Sequence, residues 1–229
     1  MNKQFFIWLI PFCFWACGNS GTEKEEVKTP EKTPITTIAP ESLADNFEPE
    51  IEDVERTEWQ NPDYILNFLG DLQNKVVADI GAGSGYFTFK LARTAEKVIA
   101  LDIDPKALEY IENQKEIVGD WSNNIEARLT PPDVPNLLAN EADLVLIVNT
   151  YSYIPNKEIY FPRLLQGLKP GGRLVIVDFK KGDIPVGPAD EFKTDPKDVR
   201  SSLRKASFRK ININQENLEY QYIITAEKK

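Results

Sequence analysis

From about residue 62 onward, the apolar positions fall into short unbroken runs that alternate with stretches of helical spacing. Lys75 to Ile80, Val98 to Leu101 and Ala142 to Val148 carry almost no polar interruption. That is the pattern of parallel strands covered on both faces. Arg173 to Phe179 reads the same way, and Asn124 to Leu129 predicts a weaker strand between the second and fourth. Helices are predicted over Pro62 to Gly70, from Tyr86 to about Thr94, and over Pro105 to Val118, Lys157 to Leu168 and Pro196 to Ala206. Prolines stand near several of their starts, and Lys169-Pro170-Gly171-Gly172 predicts a firm stop after the fourth of these helices. Phe208 to Ile213 and Leu218 to Ala226 lie close enough to pair as a terminal hairpin. Five strand–helix alternations with short links predict a doubly wound α/β sheet, to which the hairpin adds two antiparallel strands.

The N-terminal stretch is of another kind. Lys3 precedes an apolar run from Phe5 to Ala16 that is interrupted by Pro11 and is short for a bilayer span, as in a signal segment. Ala16-Cys17 followed by Gly18-Asn19-Ser20-Gly21 resembles a bacterial lipoprotein signal cleaved before Cys17, which would then carry the lipid. Residues 18–46 are rich in Pro, Glu, Lys and Thr and have too little apolar content to pack, so a disordered tether is expected there. The expected organisation is a signal peptide over 1–17, a tether over 18–46 and one folded domain over 47–229. The expected location is a membrane-anchored lipoprotein facing the periplasm, acting as a monomer.

Composition removes several chemistries. Of 229 residues none is histidine, which excludes Ser-His-Asp triads, histidine bases and histidine-ligated metals. The only cysteines are Cys13 and Cys17, so the folded part has neither disulfides nor a thiolate zinc site. A net charge of −9 disfavours nucleic acid as a partner.

The first strand ends in Asp79-Ile80-Gly81-Ala82-Gly83-Ser84-Gly85-Tyr86. Glycines at such a corner let the backbone turn sharply and approach a small ligand closely. The dinucleotide fingerprint G-x-G-x-x-G fails here, because its last position is Tyr86. The spacing D-x-G-x-G-x-G instead resembles the first motif of class I S-adenosylmethionine (SAM)-dependent methyltransferases. The resemblance runs from about Glu58 to the C-terminus. It includes Glu58-Trp59-Gln60-Asn61-Pro62, Asn149-Thr150-Tyr151, Asp178-Phe179-Lys180-Lys181-Gly182 and Pro185-Val186-Gly187-Pro188, phrases similar to a bacterial subgroup of that family. It implies a seven-stranded Rossmann-like sheet, SAM as cofactor and methyl transfer as the activity.

For the cofactor, the resemblance implies backbone groups around Gly81, Ala82, Gly83, Gly85 and Tyr86 for the carboxylate and Asp79 for the ammonium. Asp102, at the end of the second strand, would take the ribose hydroxyls, Ile103 would cover the adenine and Asp133 would meet its amino group. Asn149, Tyr151 and Tyr153 are the candidates to line the acceptor side, with Asn149 also near the cofactor and Lys180 a weaker one; Trp59 with Gln60 either covers the cofactor or only docks the N-terminal helix. Relatives usually carry a histidine after the Asn-Thr-Tyr phrase, whereas Ser152 and Tyr153 stand here. The N-P-P-Y run of DNA-amine enzymes and the thiolates of arsenite enzymes are both missing, which leaves a small organic acceptor or a protein surface, between which the sequence does not choose; a small molecule is the expectation adopted. A lipoprotein that binds SAM or a nucleoside without catalysis is the alternative. A nicotinamide-dependent reductase is a weaker one.

Overall fold

In the computed structural model, β1 (Val76–Ile80) is the centre from which the sheet is built. The structure describes residues 54–229; the expected signal segment, Cys17, the tether and residues 47–53 lie outside the described residues. β1 pairs in parallel with β2 (Lys97–Asp102) on one side and β4 (Ala142–Val148) on the other. β3 (Ile125–Leu129) extends the first side. On the second side β4 pairs with β5 (Leu168–Phe179), followed by antiparallel β7 (Gln221–Glu227) and β6 (Arg209–Asn214). The order β3-β2-β1-β4-β5-β7-β6 reverses between β1 and β4, and in such sheets ligands lie beyond the carboxyl ends of the strands at that reversal.

Alternation along the strands sorts side chains into two cores. Val77, Leu146 and Val175 face α2 (Pro62–Leu69), α3 (Tyr86–Ala92) and α4 (Pro105–Val118). Ala78, Ile147 and Ile176 face α5 (Lys157–Gly167) and α6 (Pro196–Lys205). Burying a side chain such as Phe161 or Leu164 contributes roughly 1.5–3 kcal/mol, which is why short helices with modest propensity hold. Three helices start alike, with an acid or amide capping the first turn ahead of a proline: Asn61-Pro62, Asp104-Pro105 and Asp195-Pro196.

Two expectations change. Lys169-Pro170-Gly171-Gly172 does not separate helix from strand; β5 already begins at Leu168 and carries a register shift against β4 there. Pairing with the chain end overrides the Pro-Gly signal, since Gly171 N–H donates to Lys228 O and Lys228 N–H to Gly172 O. The second change is a helix that the apolar pattern does not predict, α1 (Val54–Gln60). It is fastened by the Trp59 ring, 5.5 Å from that of Phe179, and by a 2.7 Å hydrogen bond between the hydroxyls of Thr57 and Tyr86. Among the described residues no helix is long and apolar enough to cross a membrane.

Both rims of the sheet carry charge. On β3, Arg128 bonds to Glu126 and Glu141, while β6 carries Arg209 and Lys210 beside a register shift.

Candidate active site

The glycine corner follows from where β1 meets β4. Gly81 has φ +75°, and a Cβ there would lie 2.2 Å from Thr150 Oγ1, so only glycine lets the two strand tips close on each other. Gly85 has φ +91° and backs onto the Phe89 ring, which a Cβ would meet at 2.8 Å. Gly83 differs: a Cβ would meet nothing within 4 Å, so its outer face lies against open space.

The corner's amides are engaged inside the protein. Gly81 and Ala82 N–H donate to Leu101 O at 2.8 and 3.1 Å, and Gly85 N–H donates to Ala82 O at 2.9 Å. Gly83 N–H donates to Asp102 Oδ2 at 2.7 Å. Asp102 also accepts from Asp104 N–H through Oδ1 at 3.0 Å, and each of its oxygens keeps a further lone pair for a hydroxyl donor. Ala82 and Tyr86 are 7 % and 2 % exposed, so their side chains serve packing.

Asp79 is buried on the α3 side of β1, where the Thr88 hydroxyl donates to Oδ2 at 2.7 Å. Burial pushes its carboxyl up to about 6, against the pull of Thr88 and the positive charge of Arg56. Arg56, on α1, places its guanidinium carbon 4.2 Å above the Tyr86 ring, and its Nε donates to Gln60 Oε1 at 2.6 Å. Gln60 is fully buried and passes the chain on to Gln221, 3.2 Å away, which donates to Asn149 Oδ1. Asn149 sits in the left-handed region at φ +56°, so this side-chain ladder ties α1 to the tip of β4.

A cleft of about 200 Å³ opens at the same edge, lined by Asp102, Ile103, Pro131, Pro132, Thr150 and Tyr153 among others. Ile103 is 59 % exposed and forms an apolar wall with the prolines. Asp133 follows in the same turn; Pro131 and Pro132 line the cleft and Asp133 does not. A larger hollow of about 440 Å³, around Asp71, Lys75, Asp143 and Arg173, lies at the opposite ends of the strands, away from the corner and both acids.

Neighbouring tyrosines separate. Tyr153 lines the cleft and is half-exposed, while burial and the nearby Asp178 push its phenol up, so at neutral pH it is an uncharged hydroxyl. Tyr151 is only 1 % exposed, its ring stacks on Phe161 at 5.3 Å, and it borders a separate hollow beside Lys157, Asp198 and Ser202 and not the cleft at Asp102. Lys180 bonds the carbonyls of Leu218 and Glu219, which spends it on the hairpin.

One group the motif reading left without a role is Asp178, at the tip of β5 on the α5 side. It is 3 % exposed; Oδ1 accepts Phe179 N–H at 2.8 Å and Oδ2 has no hydrogen-bond partner. Burial pushes this carboxyl up to about 6 as well, offset in part by the Phe179 N–H. Lys157, the nearby cation, bonds the carbonyls of Ile154 and Ser152 and so pins the turn that carries Tyr153. Among the described residues no cluster of acidic or thiol side chains is arranged to hold a metal.

Comparison with known proteins agrees with this geometry. Residues 71–227 match the family model described as a methyltransferase domain. A demethylmenaquinone methyltransferase of Tropheryma whipplei is 34 % identical over 111 residues, covering 48 % of this chain and 44 % of the relative. A phosphoethanolamine N-methyltransferase of Triticum aestivum is 36 % identical over 118 residues, covering 49 % of this chain and 23 % of the relative. The chain thus spans less than half the length of these curated relatives. A SAM-dependent methyltransferase from Aquifex aeolicus superposes with a TM-score of 0.73 at 22 % identity, over 82 % of this chain and 98 % of that one. With the sheet order, the corner and the family match in agreement, the chain belongs to the methyltransferase-domain family and has the class I, SAM-dependent fold.

Proposed function

We propose that this protein transfers a methyl group from SAM to a small-molecule acceptor brought to the cleft beside Asp102. The observation that carries the proposal is the cleft between Gly81 and Asp102 on one side and the wall of Ile103, Pro131 and Pro132 on the other. Such a space fits a nucleoside: the apolar wall suits a base, and Asp102 has lone pairs for ribose hydroxyls. Asp79 supplies negative charge for the amino-acid ammonium. Bound SAM would supply an electrophilic methyl on a sulfonium that already leaves easily. The remaining work is alignment, and holding reactants in near-attack geometry contributes roughly 7–11 kcal/mol, so the lack of histidine is no obstacle. Tyr153 orients the acceptor as a neutral hydroxyl, and Asn149, fixed by Gln221, frames the other side.

Two relatives whose names state small acceptors, demethylmenaquinone and phosphoethanolamine, support that class, as does the narrow cleft. Lipidation at Cys17 and placement on the outer side of a membrane belong to the same proposal. A binding role without transfer is the second reading, favoured because Tyr151 is in the core and Tyr153 is a poor base. The test is calorimetry of the full chain with SAM, followed by incubation with labelled SAM and a cell extract. Binding, with label passing to the small-molecule fraction, is the expected result. Label in the protein fraction overturns the acceptor class, binding without label favours the second reading, and no binding overturns both.

A further inference from the structure

We propose that the methyl acceptor carries an ionisable hydroxyl, a phenol or an enol, and that its oxygen is selected by the Asn149 amide, whose N–H groups a buried relay turns toward the site. The inference rests on the methyl-transfer reading above and names the acceptor class within it. The relay starts from a group that can only donate, the Arg56 guanidinium. Its Nε donates to Gln60 Oε1 at 2.6 Å, so Gln60 must direct its NH2 the other way. That NH2 donates to Gln221 Oε1 at 3.2 Å, and Gln221 Nε2 donates in turn to Asn149 Oδ1. Gln60 and Gln221 are 0 % and 1 % exposed. Turning either amide over would set two N–H groups or two oxygens face to face, with no water to repair the mismatch. One obligate donor therefore fixes the polarity of three amides.

Asn149 receives that polarity at the tip of β4, where the strand order reverses. The next residue, Thr150, closes on Gly81 and lines the cleft. Asn149 Nδ2 meets no acceptor among the described residues, and it is not among their buried unpaired atoms, so its N–H groups face open space. An oxygen nucleophile suits such a donor. It has one lone pair for the Asn149 N–H and another for the methyl carbon, whereas a neutral amine has a single lone pair and needs acceptors for its hydrogens. In the step, the oxygen lone pair forms the new C–O bond, and the C–S bond breaks with its electron pair passing to sulfur. The hydroxyl proton goes to water. Self-ionising acceptors are favoured because Tyr153 is an uncharged hydroxyl at neutral pH and the chain has no histidine. A donated hydrogen bond from Asn149 also stabilises the ionised oxygen.

The experiment incubates the full chain with methyl-labelled SAM and a cell extract, then boils the small-molecule products in hydriodic acid. That treatment frees oxygen-bound methyl as volatile methyl iodide and leaves methyl on carbon or nitrogen in place. Volatile label is the expected result from wild type. Gln60→Glu puts beside Arg56 a carboxylate with no hydrogen to pass on, so Gln221 and Asn149 both reverse and an oxygen faces the site. It is expected to slow labelling about tenfold or more while S-adenosylhomocysteine affinity, by calorimetry, stays within about twofold. Gln60→Met breaks the relay without reversing it and is expected to slow labelling less. Should Gln60→Glu fail to melt cooperatively, Asn149→Asp reads the same loss of donors with the same expectation. Non-volatile label overturns the oxygen acceptor and leaves methyl transfer standing. Equal slowing in the two Gln60 variants reduces the relay to packing, and a matching loss of S-adenosylhomocysteine affinity assigns Asn149 to the cofactor; the inference falls in either case. No labelled small molecule from a protein that binds SAM overturns both this inference and the transfer reading.

Discussion

Asp79 and Asp178 occupy matching places, at the tips of β1 and β5, yet on opposite faces of the sheet and in opposite company. Both are 3 % exposed and both carboxyls are pushed up to about 6 by burial. Asp79 has a hydroxyl donor in Thr88, a cation in Arg56 and a second acid in Asp102. Asp178 has the Phe179 N–H, with Ser152 and the charge of Lys157 also pulling its carboxyl down, while Lys157 bonds two carbonyls of the turn above. Equal shifts therefore hide different designs. The β1 acid stands in a polar cluster beside the glycine corner, and the β5 acid stands behind the turn that carries Tyr153.

The severest way to break the comparison is at the corner itself. Gly81→Ala puts a methyl 2.2 Å from Thr150 Oγ1 at a positive φ, so both overpacking and strain apply. It is expected to cost about 2–5 kcal/mol in urea unfolding.

Next in size is the pH dependence. With folded values near 6 and an ordinary value of 3.8, the folded protein holds protons that the unfolded chain has released between about pH 4 and 6. Stability therefore falls as pH rises through that window and stays lower above it, by about 3 kcal/mol per acid. Asp79→Asn and Asp178→Asn should each flatten the slope of unfolding midpoint against pH; a variant that leaves it unchanged locates the titration elsewhere.

Ligand affinity should then separate the two acids. At pH 7.5, Asp79→Asn is expected to weaken SAM about ten- to a hundredfold, whereas Asp178→Asn stays within about twofold. Wild-type affinity should rise with pH through about 6 as Asp79 ionises, and only Asp79→Asn should lose that rise. Equal losses from both variants would erase the distinction. The smallest effect is expected from Thr88→Val. It removes the donor to Asp79 and makes the β1 acid resemble the β5 one, at about 1–3 kcal/mol in thermal unfolding and with a further rise of the Asp79 carboxyl.

The sheet was legible because its strands are unbroken apolar runs, and the corner because alternating glycines after an acid are rarely neutral choices. α1 was not legible. Its seven residues include Glu55, Arg56 and Glu58 and show no apolar period, and it is held by contacts with residues far along the chain, Tyr86 and Phe179. Arg56 was hidden with it. Tyr151 and Tyr153 are alike in sequence, and only the fold of the short turn sends one ring into the core and the other into the cleft. Asp178 was visible as part of a phrase, but its unpaired oxygen is a property of packing. The Pro-Gly-Gly phrase marked the end of α5 but hid the early start of β5, because a backbone partner at residue 228 compensates for a broken local pattern.

The charged rims of the sheet have a consequence for how copies of this protein tolerate one another. An open strand edge is a template for another chain, and ionic side chains together with an irregular register blunt it. Arg128 with its two glutamates guards one rim, and Arg209 and Lys210 beside the offset guard the other. Crowded molecules therefore meet edge to edge without zipping into a continuous ribbon, and the protein resists aggregation at the two places where a sheet is most exposed to it.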